Sequence, residues 1–301
     1  MRNFKLITYS ALFSIIFCTT SNYAQERSLL ASGAVPVLVA SDYEFTEGPA
    51  TDKEGNVYFT DQPNDRILKW SAEDNTVSVY MQPSGRSNGL YLDNEGYLLA
   101  CADEKNQLWR IDADKNATVL VTNYEGKKLN GPNDLWVDKK GGVYLTDPFY
   151  KRPWWDHQEP EQEAKRVYYL APDQKELRVV ADEFVQPNGI IGTPDGNILY
   201  IADIGDKKTY SYSITEDGSL SNKTLFTTLG SDGMTLDDQG NVYLTGDGVT
   251  VFNEQGEQIL HIPIAQKWTA NVTFGGKEHN KLFITAMNSV YTLDMNVRGV
   301  Q

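Results

Sequence analysis

The chain has 301 residues, 40% of them hydrophobic and 23% charged, and its 41 acidic against 27 basic residues give a net charge of −14. That composition is globular and long enough for one large core or two ordinary ones. Its sign is wrong for a surface that binds nucleic acid or anionic lipid.

At the N-terminus Arg2 and Lys5 precede an apolar run at 6–18. The run is too short to span a membrane comfortably and is arranged as a secretory leader is. Cleavage is expected near Ala24, so that 1–24 is a signal peptide and the protein is exported, periplasmic or secreted. Loss of that segment takes two positive charges from a chain of −14, leaving −16. It also leaves Cys101 as the sole cysteine, so no internal disulfide is expected. Cys101 lies in the apolar run Leu98-Leu99-Ala100-Cys101 and reads as a buried structural thiol. No other apolar run approaches the length of a membrane span.

After a polar lead-in at 25–33 comes a β-type run at 35–40, VPVLVA, and then a hairpin unit that recurs. The unit is clearest at 131–148, GPNDLWVDKKGGVYLTDP, where a polar Asn133-Asp134 start leads through an apolar alternation, a glycine-containing turn and a second alternation to Asp147. Two short strands about such a turn make a β-hairpin. Variants start at Glu47 (EGPATDKEGNVYFTD), Asn88 (NGLYLDNEGYLLACAD), Asn188 (NGIIGTPDGNILYIAD), Asp232 (DGMTLDDQGNVYLTGD) and Asn271 (NVTFGGKEHNKLFITA), spacing the six starts by 41, 45, 55, 44 and 39 residues. A hairpin at that period is the mark of a propeller.

Each hairpin is followed by a third strand, such as Arg66–Trp70 or Gln107–Ile111, and by an outer run at 76–81, 118–122, 177–181, 223–228 or 258–264. The last hairpin has no outer run after it, while the run at 35–40 precedes every hairpin. The expected fold is therefore all-β: a six-bladed β-propeller of four-stranded blades over 34–301, closed by the N-terminal strand completing the C-terminal blade. The long third interval is explained by 147–166, DPFYKRPWWDHQEPEQEAKR, whose three prolines and paired tryptophans do not read as strand. It is expected as a loop over one face of the disk, with Trp154 and Trp155 either forming a lid over a ligand or packing on the blade beneath.

In a propeller the start of each innermost strand lies beside the central channel, so Glu47, Asn88, Asn133, Asn188, Asp232 and Asn271 should converge. None is apolar, and a buried polar ring costs desolvation unless something satisfies it. Two carboxylates and amide oxygens suit a hard divalent cation, calcium first for its tolerance of irregular coordination, with magnesium, manganese or zinc as alternatives. No His or Cys stands at a repeat start, which disfavours a conventional zinc site. The competing reading is that Asn and Asp merely cap turns at strand entrances; Glu47, a poor turn former, speaks against it. Asp52, Asp93, Asp138, Asp195 and Asp237 read as hairpin-turn residues, and Asp61, Asp103, Asp147, Asp203 and Asp247 as braces at the ends of second strands. His157, His261 and His279 share no spacing and read as structural or solvated. There is no Gly-X-Ser-X-Gly elbow and no phosphate-binding loop of the Walker type.

The ordered set Glu47-Gly48-Pro49, Arg86-Ser87-Asn88-Gly89, Pro132-Asn133-Asp134, Asn188-Gly189, Asp232-Gly233-Met234 and Thr273-Phe274-Gly275-Gly276 followed by Leu282-Phe283-Ile284-Thr285 resembles the family of gluconolactonases, senescence marker protein (regucalcin) and luciferin-regenerating enzyme. The resemblance covers nearly all of the chain after the leader. It implies a six-bladed propeller holding one divalent cation through Glu47, Asn188 and Asp232, with Asn133 beside it as ligand or substrate contact. Arg86 is implied to position hydroxyls or a carboxylate of the substrate, and Asn88 is grouped with it as a channel residue on the substrate side. The implied reaction is hydrolysis of a small-molecule sugar lactone to the aldonic acid, the cation polarising the carbonyl and Asp232 assisting attack by water. Two other functions stay open: hydrolysis of phosphotriesters or aryl esters at the same site, and a non-catalytic calcium- or ligand-binding propeller, since fold alone does not fix function.

Overall fold

Four of the five turn aspartates hold their hairpins in the same way. Asp52 accepts the backbone N–H of Glu54 at 3.1 Å and of Asn56 at 2.8 Å, and Asp93, Asp138 and Asp237 repeat the pattern two and four residues on. An acceptor so placed closes the turn around its glycine. The Val, Ile, Leu and Tyr alternations on either side then extend as strands, where β-branched and aromatic side chains pack well on a pleated surface.

In the computed structural model, which describes residues 29–300, these hairpins grow into six antiparallel four-stranded sheets. From innermost to outermost strand, the first blade is Thr46–Thr51, Val57–Asp61, Arg66–Trp70 and Val77–Met81. The second is Ser87–Leu92, Leu98–Ala102, Gln107–Ile111 and Ala117–Val121, and the third Leu135–Val137, Val143–Asp147, Arg166–Leu170 and Leu177–Ala181. The fourth is Pro187–Gly192, Ile198–Asp203, Lys208–Ile214 and Leu220–Thr227, and the fifth Met234–Leu236, Val242–Gly246, Gly248–Phe252 and Gln258–Ile262. The sixth is Asn271–Gly275, Lys281–Ala286, Ser289–Asp294 and, outermost, Val37–Ala40. That last pairing, Val37 opposite Thr292 and Leu38 opposite Tyr291, closes the ring with the N-terminal strand as the repeat predicts.

The core is a set of layers between neighbouring blades. Leu99, Cys101 and Leu108 of the second blade pack with Leu135, Leu145 and Tyr168 of the third, and Phe59 and Trp70 of the first meet Phe283 of the sixth at ring-centroid distances of 5.5 Å. Burial of this apolar surface holds the blades to one another. Cys101 is buried, and its surroundings push the thiol well up, which keeps it an inert packing residue. The lead-in is more than polar spacer. Leu29 is buried with Val272, Phe274 and Leu293, and Leu30 bridges Met295. Residues 295–299 turn back over the fifth and sixth blades, where the Asp238 N–H donates to the Arg298 carbonyl and the Gly299 N–H to the His279 carbonyl; this creates the apolar seat that Leu29 fills. The expected leader and its cleavage site lie outside the described residues, and no helix among those residues is long and apolar enough to cross a membrane.

Candidate active site

The six repeat starts come together at one end of the channel. Glu47, Asn88, Asn133, Asn188 and Asn271 are buried and Asp232 is half-buried. Local chain geometry aims them inward. In the first, second and fourth blades the inner strand carries one extra residue against its partner, between 47 and 50, 87 and 90, and 187 and 190. A bulge of this kind turns a side chain out of the regular alternation. In the third and fifth blades the strand begins only after the ring residue, at Leu135 and Met234. Glycine follows the ring residue in four of the repeats because the next blade occupies its side-chain space: a Cβ on residue 233 would lie 1.9 Å from Cγ of Asn271, and one on residue 48 would lie 2.2 Å from the carbonyl oxygen of Asn88. In the third repeat that second place is taken by Asp134, which adds a third buried carboxylate to the ring.

Asp232 accepts the Trp268 indole N–H at 2.7 Å on one oxygen and the Asn188 amide N–H at 2.8 Å on the other. The same Asn188 amide donates to the Tyr150 hydroxyl at 2.9 Å. Glu47 accepts the Gly48 N–H at 3.0 Å, and the Asn271 amide hydrogen-bonds both Glu47 and Asp134 while its own oxygen accepts the Val272 N–H at 2.8 Å. These donors are all neutral. Burial, reinforced by the charges of Asp232 and Asp134, raises Glu47 well above the ordinary carboxylate range. Burial pushes Asp134 up to about 7 and Asp232 up to about 6, the latter against the pull of Trp268, Asn188 and the Arg152 guanidinium. In the same ring Asn88 and Asn133 are 4% and 5% exposed, yet their side-chain amides have no hydrogen-bond partner among the described residues. Amides without a protein partner at the lip of a channel are free to meet a ligand there.

Closely set carboxylates held by neutral donors, with unpartnered amides beside them, fit a hard divalent cation. Among the described residues no three or more His, Cys, Asp or Glu form a ready-made metal cluster. The residues that could hold a cation are Glu47 and Asp232 through their carboxylates and Asn133 and Asn188 through their amide oxygens. The histidines stand elsewhere: His157 stacks on Trp155, His261 meets Thr250, and His279 approaches the Lys53 carbonyl.

The loop at 147–166 connects the second and third strands of the third blade, and its two tryptophans behave differently. Trp155 packs down, buried, with its indole N–H on the Asp103 carbonyl at 2.7 Å and its ring 4.8 Å from that of His157. Trp154 stays half-buried beneath the guanidinium groups of Arg86 and Arg152. Arg86 donates to the Pro63 carbonyl and contacts none of the six ring residues. The strand-end aspartates divide as well. Asp61 accepts the N–H groups of Glu44 and Phe45, Asp147 those of Asn130 and Gly131, and Asp203 those of Val185 and Gln186, each bracing the segment that enters its blade. Asp103 instead faces Arg152 at 3.2 Å, and Asp247 is exposed.

Sequence reasoning missed Asp134, Trp268, Tyr150 and Arg152 as site residues. Asp134 had a signal, since it replaces the recurrent glycine; the other three lie on connections outside the repeat, where position carries no register. A cavity of about 850 Å³ lies at the opposite end of the inner strands among Tyr91, Trp136, Lys139 and Val300, away from every ring residue. Volume alone does not make it the candidate site, because the carboxylates raised by burial are at the other end.

Fold and site thus define a six-bladed propeller with an acid and amide ring at one mouth of its channel. Residues 45–288 match the SMP-30/Gluconolactonase/LRE-like region, and the chain belongs to that family. It is 30% identical over 284 residues to the gluconolactonase of Zymomonas mobilis, covering 84% of this chain and 79% of that protein. The solved gluconolactonase of Xanthomonas campestris superposes with a TM-score of 0.81 at 31% identity, covering 87% of this chain and 90% of that one. The diisopropyl-fluorophosphatase of Loligo vulgaris is 26% identical over 246 residues, covering 73% of this chain and 78% of that protein.

Proposed function

We propose that this protein hydrolyses a sugar lactone to its aldonic acid at the ring, with a divalent cation held by Glu47, Asn188 and Asp232 and with Asn133 beside it. The carrying observation is the ring itself, two acids and four amides brought together at the repeat starts of a chain in this family. Calcium is the first choice for an all-oxygen donor set, with magnesium, manganese or zinc as alternatives. When bound, the cation supplies Lewis acidity for the lactone carbonyl.

The remaining chemistry belongs to side chains. Asp232 is the base; in the cation-free protein burial holds its carboxyl up to about 6, and a cation on the same carboxylate would draw it down and keep it ionised to accept the proton. Trp268 and Asn188 fix its two oxygens, so its orientation is set before substrate arrives. It takes a proton from the attacking water as the water oxygen bonds to the carbonyl carbon. The ring C–O bond then breaks, and the proton passes to the departing ring oxygen. Asn88 contacts the substrate's hydroxyls, and Arg86 its hydroxyls or a carboxylate. The leader reading of 1–24 puts this reaction in the periplasm or outside the cell.

The test is proton release from glucono-1,5-lactone above the spontaneous rate, for chelated enzyme restored with calcium, magnesium, manganese or zinc, with Asp232→Ala in parallel. Cation-restored turnover that the variant lacks is the expected result. Turnover of an aryl phosphotriester instead would move the reading to the reaction that the name of the Loligo relative describes. Cation binding with no turnover of either would leave a binding propeller.

A further inference from the structure

The loop at 147–166 brings cationic groups to the mouth of a strongly acidic molecule. The guanidinium carbons of Arg86 and Arg152 lie 4.9 and 5.6 Å from the centre of the Trp154 ring. Arg152 also lies 5.2 Å from the Tyr150 ring, whose hydroxyl accepts from Asn188, which in turn donates to Asp232. Arg152 is therefore linked to Asp232 through two side chains, Tyr150 and Asn188, and Arg86 stands beside it on Trp154.

The charge of this pair is only partly used by the protein. The nearest acid to Arg152 is Asp103, 3.2 Å from its Nε, while Glu104 is 3.9 Å from the Nε of Arg86, beyond hydrogen-bond reach. Arg86 spends one terminal nitrogen on the Pro63 carbonyl. Its other terminal nitrogen, and both of Arg152, have no hydrogen-bond partner among the described residues. A guanidinium presents paired N–H groups in a plane that matches a carboxylate, and stacking on an aromatic ring fixes that plane in advance. Neutral sugar hydroxyls call for no such fork.

We propose that Arg152, with Arg86 beside it on Trp154, forms a subsite for an anionic substituent, so that the preferred substrate is an aldarolactone, a sugar lactone bearing a second, ionised carboxyl group remote from its reacting carbonyl. The proposal rests on the lactonase reading of the ring and narrows it to one substrate class. Water opens the ring ester as before, and the product is a sugar dicarboxylate.

The test compares kcat/KM for glucaro-1,4-lactone with that for neutral glucono-1,5-lactone. The wild type is expected to favour the anionic substrate by about 10–100-fold, the range of one charge-assisted hydrogen-bonded pair, and raised salt should erode that preference. Arg152→Gln should remove most of it, the ratio of the two kcat/KM values falling toward one whatever the common change in turnover of both substrates. Arg152→Gln combined with Asp103→Asn, which also removes the charge opposite Arg152, should behave the same, and Arg152→Lys should keep part of the preference. Equal losses on both substrates, or a wild-type preference for the neutral one, would overturn the subsite. If neither lactone turns over, the hydrolytic reading fails by itself, and calorimetric binding still decides: glucarate binding at least tenfold tighter than gluconate, with the difference lost in Arg152→Gln, upholds the subsite, and equal binding refutes it.

Discussion

Two sets of acids in the same repeat meet opposite fates. Four of the turn carboxylates, Asp52 among them, sit at the opposite end of the inner strands from the ring and accept two backbone N–H groups each, so their charge is matched locally. The ring carboxylates, Glu47 and Asp232 with Asp134, sit where six strands begin, are desolvated, and repel one another across a channel whose donors are neutral. The same chemistry is therefore structural at one end of a strand and reactive at the other. What differs is the number of N–H groups the backbone can turn toward it.

The comparison can be broken at the ring first. Asp232→Asn should cut lactone turnover by about 10³-fold while leaving the melting temperature of cation-free protein no lower, because it removes a buried charge; proton-release assays and thermal melts check the two halves. At the strand end the effects reverse. Asp61→Ala strands two backbone N–H groups and the Arg66 guanidinium, and should cost roughly 2–4 kcal/mol of stability with kcat within about twofold, read by urea unfolding.

A pH series sharpens the contrast further. A carboxylic acid whose folded pKa lies above its unfolded value takes up a proton on folding, so its contribution is complete below the unfolded value and is lost as pH rises through the folded one. Burial holds Asp103 and Asp232 up to about 6, and Asp134 and Asp147 up to about 7, against an ordinary value of 3.8. The melting temperature of cation-free protein should therefore fall from about pH 5 to pH 8; a rise over that window would contradict the ring's electrostatics. The smallest effect is at the hairpin turn, where Asp52→Ala should cost about 1 kcal/mol in the same unfolding assay and leave turnover unchanged.

The fold was legible because a hairpin with Asp and Gly in its turn is local, and six copies at one period admit little but a ring. Closure was legible from the unmatched strand at 35–40. The convergence of Glu47, Asn88, Asn133, Asn188, Asp232 and Asn271 followed from their shared place in the repeat. The missed residues obey no repeat. Trp268 and Arg152 reach the ring through irregular connections whose path is decided by packing, Trp155 beneath Asp103 above all, and no periodicity encodes that. Leu29 was passed over because a short segment with two leucines gives no sign of the seat that 295–299 forms for it.

The central claim, that the repeat starts build a cation-dependent site, is tested most directly by thermal melts of chelated protein titrated with calcium, for wild type and for Glu47→Gln/Asp232→Asn. The account predicts a melting temperature that climbs with calcium in the wild type and does not move in the double variant. An equal climb in both would put the cation elsewhere and contradict the assignment of the ring.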